Sequence, residues 1–171
     1  MLDQRQIAAA SDTLRHHWRA GTKLASLDPS MRPRDRIEAY AIQAELERAL
    51  RGKLFGWKIA ATSEAGQKHI NVGGPMAGRI LPETVIPDGG TASMAGNEMR
   101  VAEREFAFRM AVDLPPRPSP YTVREVLEAV DTLHPAIEIP DSRFADFVGA
   151  GEAQLIADNV CAHLFVLGEA A

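Results

Sequence analysis

The order of local patterns along the chain predicts an α+β protein. Apolar residues recur at helical spacing through the first fifty residues, and from residue 54 onward short runs read as strands between glycine- and proline-rich turns. Helices gathered before strands are typical of α+β folds, whereas a doubly wound parallel sheet needs the two to alternate. The 171 residues suit one domain. We therefore expect one domain with a helical part at 1–52 and a strand-rich part at 53–171 that carries the site.

The N-terminal part is predicted to hold two helices. The first presents one apolar face and ends at Gly21, and the second begins near Pro33, because proline is tolerated in the first turn of a helix. Gly52 suits the end of the second helix. The buried faces are expected to contain Ile7, Ala10, Leu14 and Trp18 in the first helix and Ile37, Tyr40, Ala41, Ala44, Leu46 and Leu50 in the second.

The strand-rich part is predicted from alternation and from caps. Ser63 caps a short helix that runs to residue 69, and Thr122 with Glu125 forms a capping box for another that runs to residue 130. A further short helix is expected at 152–157. Strands are expected at 54–60, 99–112, 134–140 and 161–167, with turns at Gly73, Gly74, Pro75 and Gly78.

Composition excludes several classes of function. The net charge is −4 and the isoelectric point is about 5.7, and there is no basic run of the kind that binds nucleic acid or an anionic membrane. The first residues lack the pattern of a signal peptide, and no apolar run is long enough to span a bilayer. Cys161 is the single cysteine, so an internal disulfide is impossible. These features favour a cytoplasmic protein.

Two glutamates on one strand are the first candidate for chemistry. In V-A-E-R-E-F-A-F-R-M, alternation places Glu103 and Glu105 on one face and the aromatic residues on the other. In A-I-E-I-P, Glu138 lies between two isoleucines, where a carboxylate must be paired if it is buried. Three converging carboxylates require a cation, and oxygen ligands favour Mg²⁺ or Mn²⁺. The alternative is that each glutamate is exposed and pairs with Arg104 or Arg109.

Lys58 and Arg143 are the basic candidates. Lys58, in F-G-W-K-I-A, either lies on the inner face of its strand, where it can carry a proton or hold a carboxylate, or reaches solvent from an edge strand. Arg143 can clamp a substrate carboxylate in a bidentate way, or it can brace Asp141 or Asp146. Cys161 and His163 are set aside as a nucleophile pair because the flanking L-F-V-L indicates a buried core.

Several short motifs occur in a characteristic order, and together they resemble the 2-keto-4-pentenoate hydratase family within the fumarylacetoacetate hydrolase superfamily. The combination of E-x-E with a later P-A-I-E-I-x-D-S-R is specific, and the match runs along most of the chain. The motifs are A-Y-A-I-Q (39–43), G-W-K-I-A-A-T-S (56–63), G-G-P-M-A-G (73–78), V-A-E-R-E-F-A-F (101–108), H-P-A-I-E-I-P-D-S-R (134–143), A-D-N (157–159) and F-V-L-G (165–168).

The resemblance implies a fold, a cofactor and a reaction. The fold is a helical and α/β N-terminal part joined to a mixed β-sandwich or roll, and Mg²⁺ or Mn²⁺ is held by Glu103, Glu105 and Glu138. Lys58 corresponds to an active-site lysine. Arg143 is assigned to substrate binding from its own chemistry and not from the resemblance, with the brace as the alternative. The implied activity is a lyase of aromatic catabolism, a hydratase that adds water to a 2-hydroxy-2,4-dienoate to give a 4-hydroxy-2-oxo acid. A homo-oligomer is also implied.

Two departures from the family pattern lead to alternatives. Cys161 stands where the family often has a serine, and relatives usually continue beyond the final F-V-L-G-E-A-A through further strands, so we expect a sheet that is incomplete at its C-terminal side. One alternative function is a 2-oxo-dienedioate decarboxylase with the same metal site. The other is a catalytically silent assembly subunit.

Overall fold

The computed structural model describes residues 1–49 and 53–171. Its helices and strands occur in the order expected of an α+β protein, so the predicted fold class is confirmed. The helices are α1 (Gln4–Ala20), α2 (Arg36–Arg48), α3 (Glu64–His69), α4 (Val123–Glu128), α5 (Phe147–Ala150) and α6 (Glu152–Ala157). The strands are β1 (Gly56–Ala60), β2 (Met76–Ile80), β3 (Val85–Ile86), β4 (Glu103–Met110), β5 (Val130–Ile139) and β6 (Leu164–Leu167).

The ends of the helices follow from their capping residues. Asp3 and Gln6 form a capping box at the start of α1, and Gly21 ends the helix in the left-handed region at φ 61°, as predicted. The caps predicted at Ser63 and Thr122 are also present. The sequence thus predicted correctly where α1 ends and where α3 and α4 begin.

The predicted start of α2 was wrong by three residues. Asp35 is the N-cap, because its side chain accepts a hydrogen bond from the Glu38 N–H at 2.9 Å, and Pro33 lies in the preceding loop. The Glu38 carboxylate in turn accepts hydrogen bonds from Arg34 and from the Leu2 N–H, which ties the loop and the N-terminus to the helix. The predicted helix end at Gly52 lies outside the described residues.

Strands β1 and β2 form an antiparallel pair in which Lys58 lies opposite Gly78. The prediction of a turn at Gly78 was therefore wrong, because this glycine lies in the middle of β2. A Cβ atom at position 78 would lie 2.7 Å from the Asn159 carbonyl oxygen and 3.0 Å from Lys58 Cδ. Close approach of two other chain segments, and not a turn, is the reason for a glycine at this position.

The other four strands form a sheet in the order β3-β6-β5-β4. Strand β3 runs parallel to β6, and the remaining neighbours are antiparallel. The observed β4 is shorter than the predicted strand at 99–112, and β6 begins at Leu164, after the predicted 161. Within the described residues β4 is an edge strand of this sheet, and its aromatic side is exposed, with Phe106 78% accessible.

The main hydrophobic core lies between α1, α2, α6 and the turn that follows α6. Its buried members are Ala10, Leu14, Leu27, Ala39, Ile42, Met76, Phe144, Ile156, Ala157 and Val160, and a smaller cluster of Ile80, Ala136 and Phe165 lies under the sheet. Met76 of β2 and Val160 of the turn at 159–161 both belong to the main core, so core packing anchors this strand and this turn together. Across the two described ranges, we find no helix with the length and apolarity that a membrane crossing requires.

Candidate metal centre

Strand pairing brings the three predicted glutamates together. Glu103 on β4 lies directly opposite Glu138 on β5, and Glu105 follows two residues later on the same face. One carboxylate oxygen from each of the three lies within 4.8 Å of the others. This is the convergence of carboxylates from two strands that was predicted, and the donor set is made of hard oxygen atoms alone.

The loop before β4 is fixed to the end of β5, which sets this register. The Asp141 carboxylate accepts hydrogen bonds from the N–H groups of Glu98 at 3.0 Å and Met99 at 3.4 Å, and it pairs with Lys23. Asn97 is buried and donates from Nδ2 to the Pro140 carbonyl at 2.9 Å. Asp141 is therefore a structural brace, and it holds the chain that leads into the E-x-E motif.

Glu138 is the most buried member of the cluster, with 4% of its surface accessible. Burial raises the pKa of Glu138 to about 7, and this effect outweighs the opposing influence of Lys58, while Glu103 and Glu105 raise the pKa further. A carboxyl group whose ionised form is disfavoured in this way needs an additional positive charge to remain ionised at neutral pH. The residues therefore fit a divalent cation.

Lys58 lies on the inner face of β1, which decides between the two interpretations of its position. Its ammonium group is 3.1 Å from Glu138 Oε1 and donates a hydrogen bond to the Val160 carbonyl at 3.0 Å. Only 10% of the side chain is exposed, whereas Trp57 and Ile59 on either side point to solvent. The strand thus directs its charged residue inward and its apolar neighbours outward, opposite to the usual arrangement.

Three consecutive residues that follow α6 adopt a left-handed conformation that sequence reasoning missed. The φ angles are 55° at Asn159, 54° at Val160 and 60° at Cys161. Each such residue costs roughly 1–2 kcal/mol relative to a right-handed conformation, and a β-branched residue such as Val160 is rare there. Asparagine tolerates this conformation, so the A-D-N motif offered a weak signal for the first residue of the turn.

Arg143 forms a buried brace. Its Nε pairs with the Asp158 carboxylate, Nη1 donates to the carbonyls of Asp141 and Ala162 at 3.0 Å, and Nη2 donates to the Asp158 carbonyl. Asp158 is a partner that the sequence interpretation did not consider, in place of Asp141 or Asp146. All three guanidinium nitrogens are engaged, so the contacts favour the structural interpretation, and the assignment of Arg143 to substrate binding stays a prediction.

Cys161 has the environment of a core residue. Burial raises the pKa of its thiol to about 12, and the negative charge of Asp158 adds to the effect. The side chain of His163 accepts a hydrogen bond at Nδ1 from Trp18 Nε1 at 2.8 Å. These surroundings disfavour the thiolate, in agreement with the prediction that Cys161 is not a nucleophile.

Comparison with solved structures defines the class of fold. The chain superposes over its whole length on 4-oxalocrotonate decarboxylase from Pseudomonas putida G7 complexed with magnesium and adipate, with a TM-score of 0.87, 22% identity and 65% of that chain covered. The same enzyme complexed with calcium and acetate gives a TM-score of 0.84. The chain therefore has the fold of this decarboxylase.

Comparison with curated proteins finds hydratases that are similar in sequence. The chain is 30% identical over 171 residues to 2-keto-4-pentenoate hydratase from Burkholderia vietnamiensis, covering 98% of this chain and 64% of the relative. It is 31% identical over 168 residues to the enzyme of that name from Paraburkholderia xenovorans, covering 96% and 61%. It is also 31% identical over 175 residues to 2-hydroxyhexa-2,4-dienoate hydratase from Comamonas testosteroni, covering 99% and 65%.

By sequence, the chain is similar to 2-keto-4-pentenoate hydratases along nearly its whole length. It spans less than two thirds of the length of the curated relatives it matches. No protein-family model matches the chain.

Proposed function

We propose that this protein is a divalent-metal-dependent hydratase that acts on a 2-hydroxy-2,4-dienoate of the 2-keto-4-pentenoate type. The observation that carries the proposal is the convergence of three carboxylate oxygens within 4.8 Å beside a buried lysine. Relatives with 30–31% identity along nearly the whole chain are named as hydratases of such acids. The product is a 4-hydroxy-2-oxo acid, and the reaction belongs to the breakdown of aromatic compounds.

Glu103, Glu105 and Glu138 are the residues that would hold Mg²⁺ or Mn²⁺. Such a cation supplies Lewis-acid stabilisation of negative charge that develops on the substrate's C2 oxygen. Within the protein, the three carboxylates provide the negative charge that selects a divalent cation, and burial of Glu138 reduces competition from water. The cluster is built on two paired strands, so its geometry is set by the register of the sheet and not by a loop.

Lys58 is proposed as the catalytic residue. A lysine ammonium group has three protons, and the hydrogen-bond acceptors in the described structure, Glu138 and the Val160 carbonyl, account for two of them. The third can donate to the substrate carboxylate at C1, or Lys58 can transfer a proton to carbon during ketonisation. In that reaction the 2-hydroxyl proton leaves, C5 gains a proton, and water then adds its oxygen to C4 and a proton to C3.

Two further features belong to the proposal. We place the protein in the cytoplasm, where the dienoate products of ring cleavage are small, soluble acids. We also expect a homo-oligomer, since an edge strand with exposed aromatic residues at Phe106 and Phe108 favours association. Size-exclusion chromatography with light scattering measures the mass in solution, and a monomer at micromolar concentration would contradict the oligomer.

A decarboxylase is the second candidate function, because the decarboxylase from Pseudomonas putida G7 has the same fold. Enolate stabilisation serves both reactions, so the two are separated by product. Release of carbon dioxide from a dicarboxylic 2-oxo-dienedioate would favour the decarboxylase. A silent assembly subunit is the third candidate. A chain that binds metal but consumes neither substrate would favour it.

The decisive experiment combines metal binding with turnover. Calorimetric titration of the purified chain with Mn²⁺ is expected to show saturable binding that Glu105→Gln abolishes. Glu128→Gln is the matched control, because this exposed glutamate pairs only loosely with Arg124 at 3.7 Å. Loss of the ultraviolet absorbance of 2-hydroxypenta-2,4-dienoate then reports hydration. A cooperatively folded sample that neither binds Mn²⁺ nor consumes the dienoate would refute the proposal.

A further inference from the structure

The left-handed turn formed by Asn159, Val160 and Cys161 lies against β2, and the Asn159 side chain contacts that strand. Asn159 Oδ1 accepts a hydrogen bond from the Arg79 N–H at 2.6 Å, and Asn159 Nδ2 donates to the Arg79 carbonyl at 2.8 Å. The amide group thus pairs with both backbone groups of one strand residue, as a neighbouring strand would. Asn159 is buried, so water does not compete for these bonds.

The same turn provides an acceptor for the proposed catalytic lysine. The Val160 carbonyl accepts a hydrogen bond from Lys58 Nζ at 3.0 Å. Lys58 lies on β1, which pairs with β2, the strand that Asn159 contacts. Gly78 lies directly opposite Lys58, and its missing side chain leaves room for both the Asn159 carbonyl and the lysine stem. Position 79 therefore fixes the turn, and the turn fixes the end of the Lys58 side chain.

We propose that Asn159 is a positioning residue, whose amide clamp on Arg79 holds the left-handed turn so that the Val160 carbonyl orients Lys58 toward the carboxylate cluster. Asn159 itself does not touch the proposed metal or substrate. This inference rests on the proposed function for its catalytic meaning, whereas the position of Lys58 can be tested without turnover. It explains why an unfavourable backbone conformation is retained beside this lysine.

The test measures the accessibility of each lysine to an amine-acylating reagent, with modification sites quantified by peptide mass spectrometry on the full chain. Asn159→Ala is expected to increase the rate of acylation at Lys58 by roughly 2–10-fold, the range that corresponds to loss of one hydrogen bond. The exposed Lys53 and Lys68 serve as reference sites. Lys23, which is half-buried and paired with Asp141, reports general unfolding and is expected to stay protected.

Three further variants distinguish the loss of the Asn159 hydrogen bonds from a general loss of stability and from a change of backbone preference at position 159. Gln154→Ala is the matched control, because Gln154 is also a buried amide with two hydrogen bonds, to Leu27 and Ala150, and should leave Lys58 protected. Asn159→Gly removes the clamp but tolerates the left-handed conformation, and should behave like Asn159→Ala. Asn159→Asp retains the acceptor for the Arg79 N–H and should fall between the wild type and alanine, which keeps the test usable if the alanine variant does not fold.

The outcomes distinguish the inference from the proposed function. Selective exposure of Lys58 supports the positioning role even when no dienoate is consumed, in which case the hydratase proposal alone fails. Equal acylation of Lys58 in the wild type and in Asn159→Gly overturns the positioning role, as does exposure of Lys58 that merely follows exposure of Lys23. If the enzyme is active, Asn159→Ala should lower kcat in the wild type but not in a Lys58→Ala background, because the residue acts through the lysine.

Discussion

Burial of Glu138 makes the stability of the metal-free protein depend on pH. The pKa of this carboxyl rises from 4.5 to about 7 on folding, chiefly because burial disfavours the charged form. The folded state therefore prefers the protonated form of Glu138. The contribution of this group to the free energy of unfolding is fully present below pH 4.5 and is lost as the pH rises through 7. At about 1.4 kcal/mol per pKa unit, the loss approaches ~3 kcal/mol at pH 8.

Glu138→Gln isolates this contribution from other titrating groups. Glutamine has nearly the same shape and does not ionise, so the variant should be more stable than the wild type at pH 8, by up to ~3 kcal/mol, and about equal at pH 4.5. Urea unfolding at several pH values, with a chelator present, gives the difference in the free energy of unfolding. The reasoning is refuted if the two proteins show the same dependence on pH between 5 and 8.

A bound cation should reverse this dependence. Mn²⁺ binds the ionised carboxylate, so at saturating metal the wild type should gain stability as the pH rises from 5 to 8, while Glu138→Gln should gain little. The same unfolding series repeated with Mn²⁺ in place of the chelator measures the gain. A wild type that is indifferent to Mn²⁺ at pH 8 would contradict the assignment of Glu138 as a metal ligand.

Three other predictions concern packing. Gly78→Ala should lower the free energy of unfolding by about 1–3 kcal/mol because its Cβ would meet a backbone carbonyl at 2.7 Å, whereas Gly56→Ala, which meets nothing within 4 Å, should be close to neutral in the same urea assay. Arg143→Met should cost about 3–5 kcal/mol, because it leaves a buried aspartate unpaired, and a cost below 1 kcal/mol would contradict the brace. Phe144→Ala should cost about 3–5 kcal/mol, whereas Val123→Ala, at a side chain that is 77% exposed, should stay within about 0.5 kcal/mol; equal costs in thermal unfolding would contradict the assignment of core and surface.

Features that depend on a few neighbouring residues could be predicted from the sequence. The caps at Gly21, Ser63 and Thr122 were predicted because each cap is a short-range hydrogen bond or a left-handed glycine. Convergence of Glu103 and Glu105 with Glu138 was also predictable, because alternation on two strands fixes the face of each side chain, and mutual repulsion implies a cation. The start of α2 was misplaced because Pro33 and Asp35 both suit a helix start.

Features that depend on contacts between distant segments were not predictable. Gly78 looks like a turn residue, and the reason for its place in a strand is the approach of Asn159 from 81 positions further along the chain. Arg143 has two acidic residues close to it in sequence, but its partner is Asp158, which comes near only because α6 packs against α2 and the core. Local spacing carries no information about such pairings.

The unfavourable features of this chain lie together and contact one another. A charged residue on the inner face of a strand, a carboxyl with a raised pKa and a β-branched residue in a left-handed turn are each disfavoured alone. Lys58 touches both of the others, at 3.1 Å from Glu138 and 3.0 Å from the Val160 carbonyl. Stability alone would select against each of them, and a core of apolar side chains would fill this space at lower cost. Their concentration around one lysine therefore supports the proposal that the carboxylate cluster and Lys58 form a catalytic site.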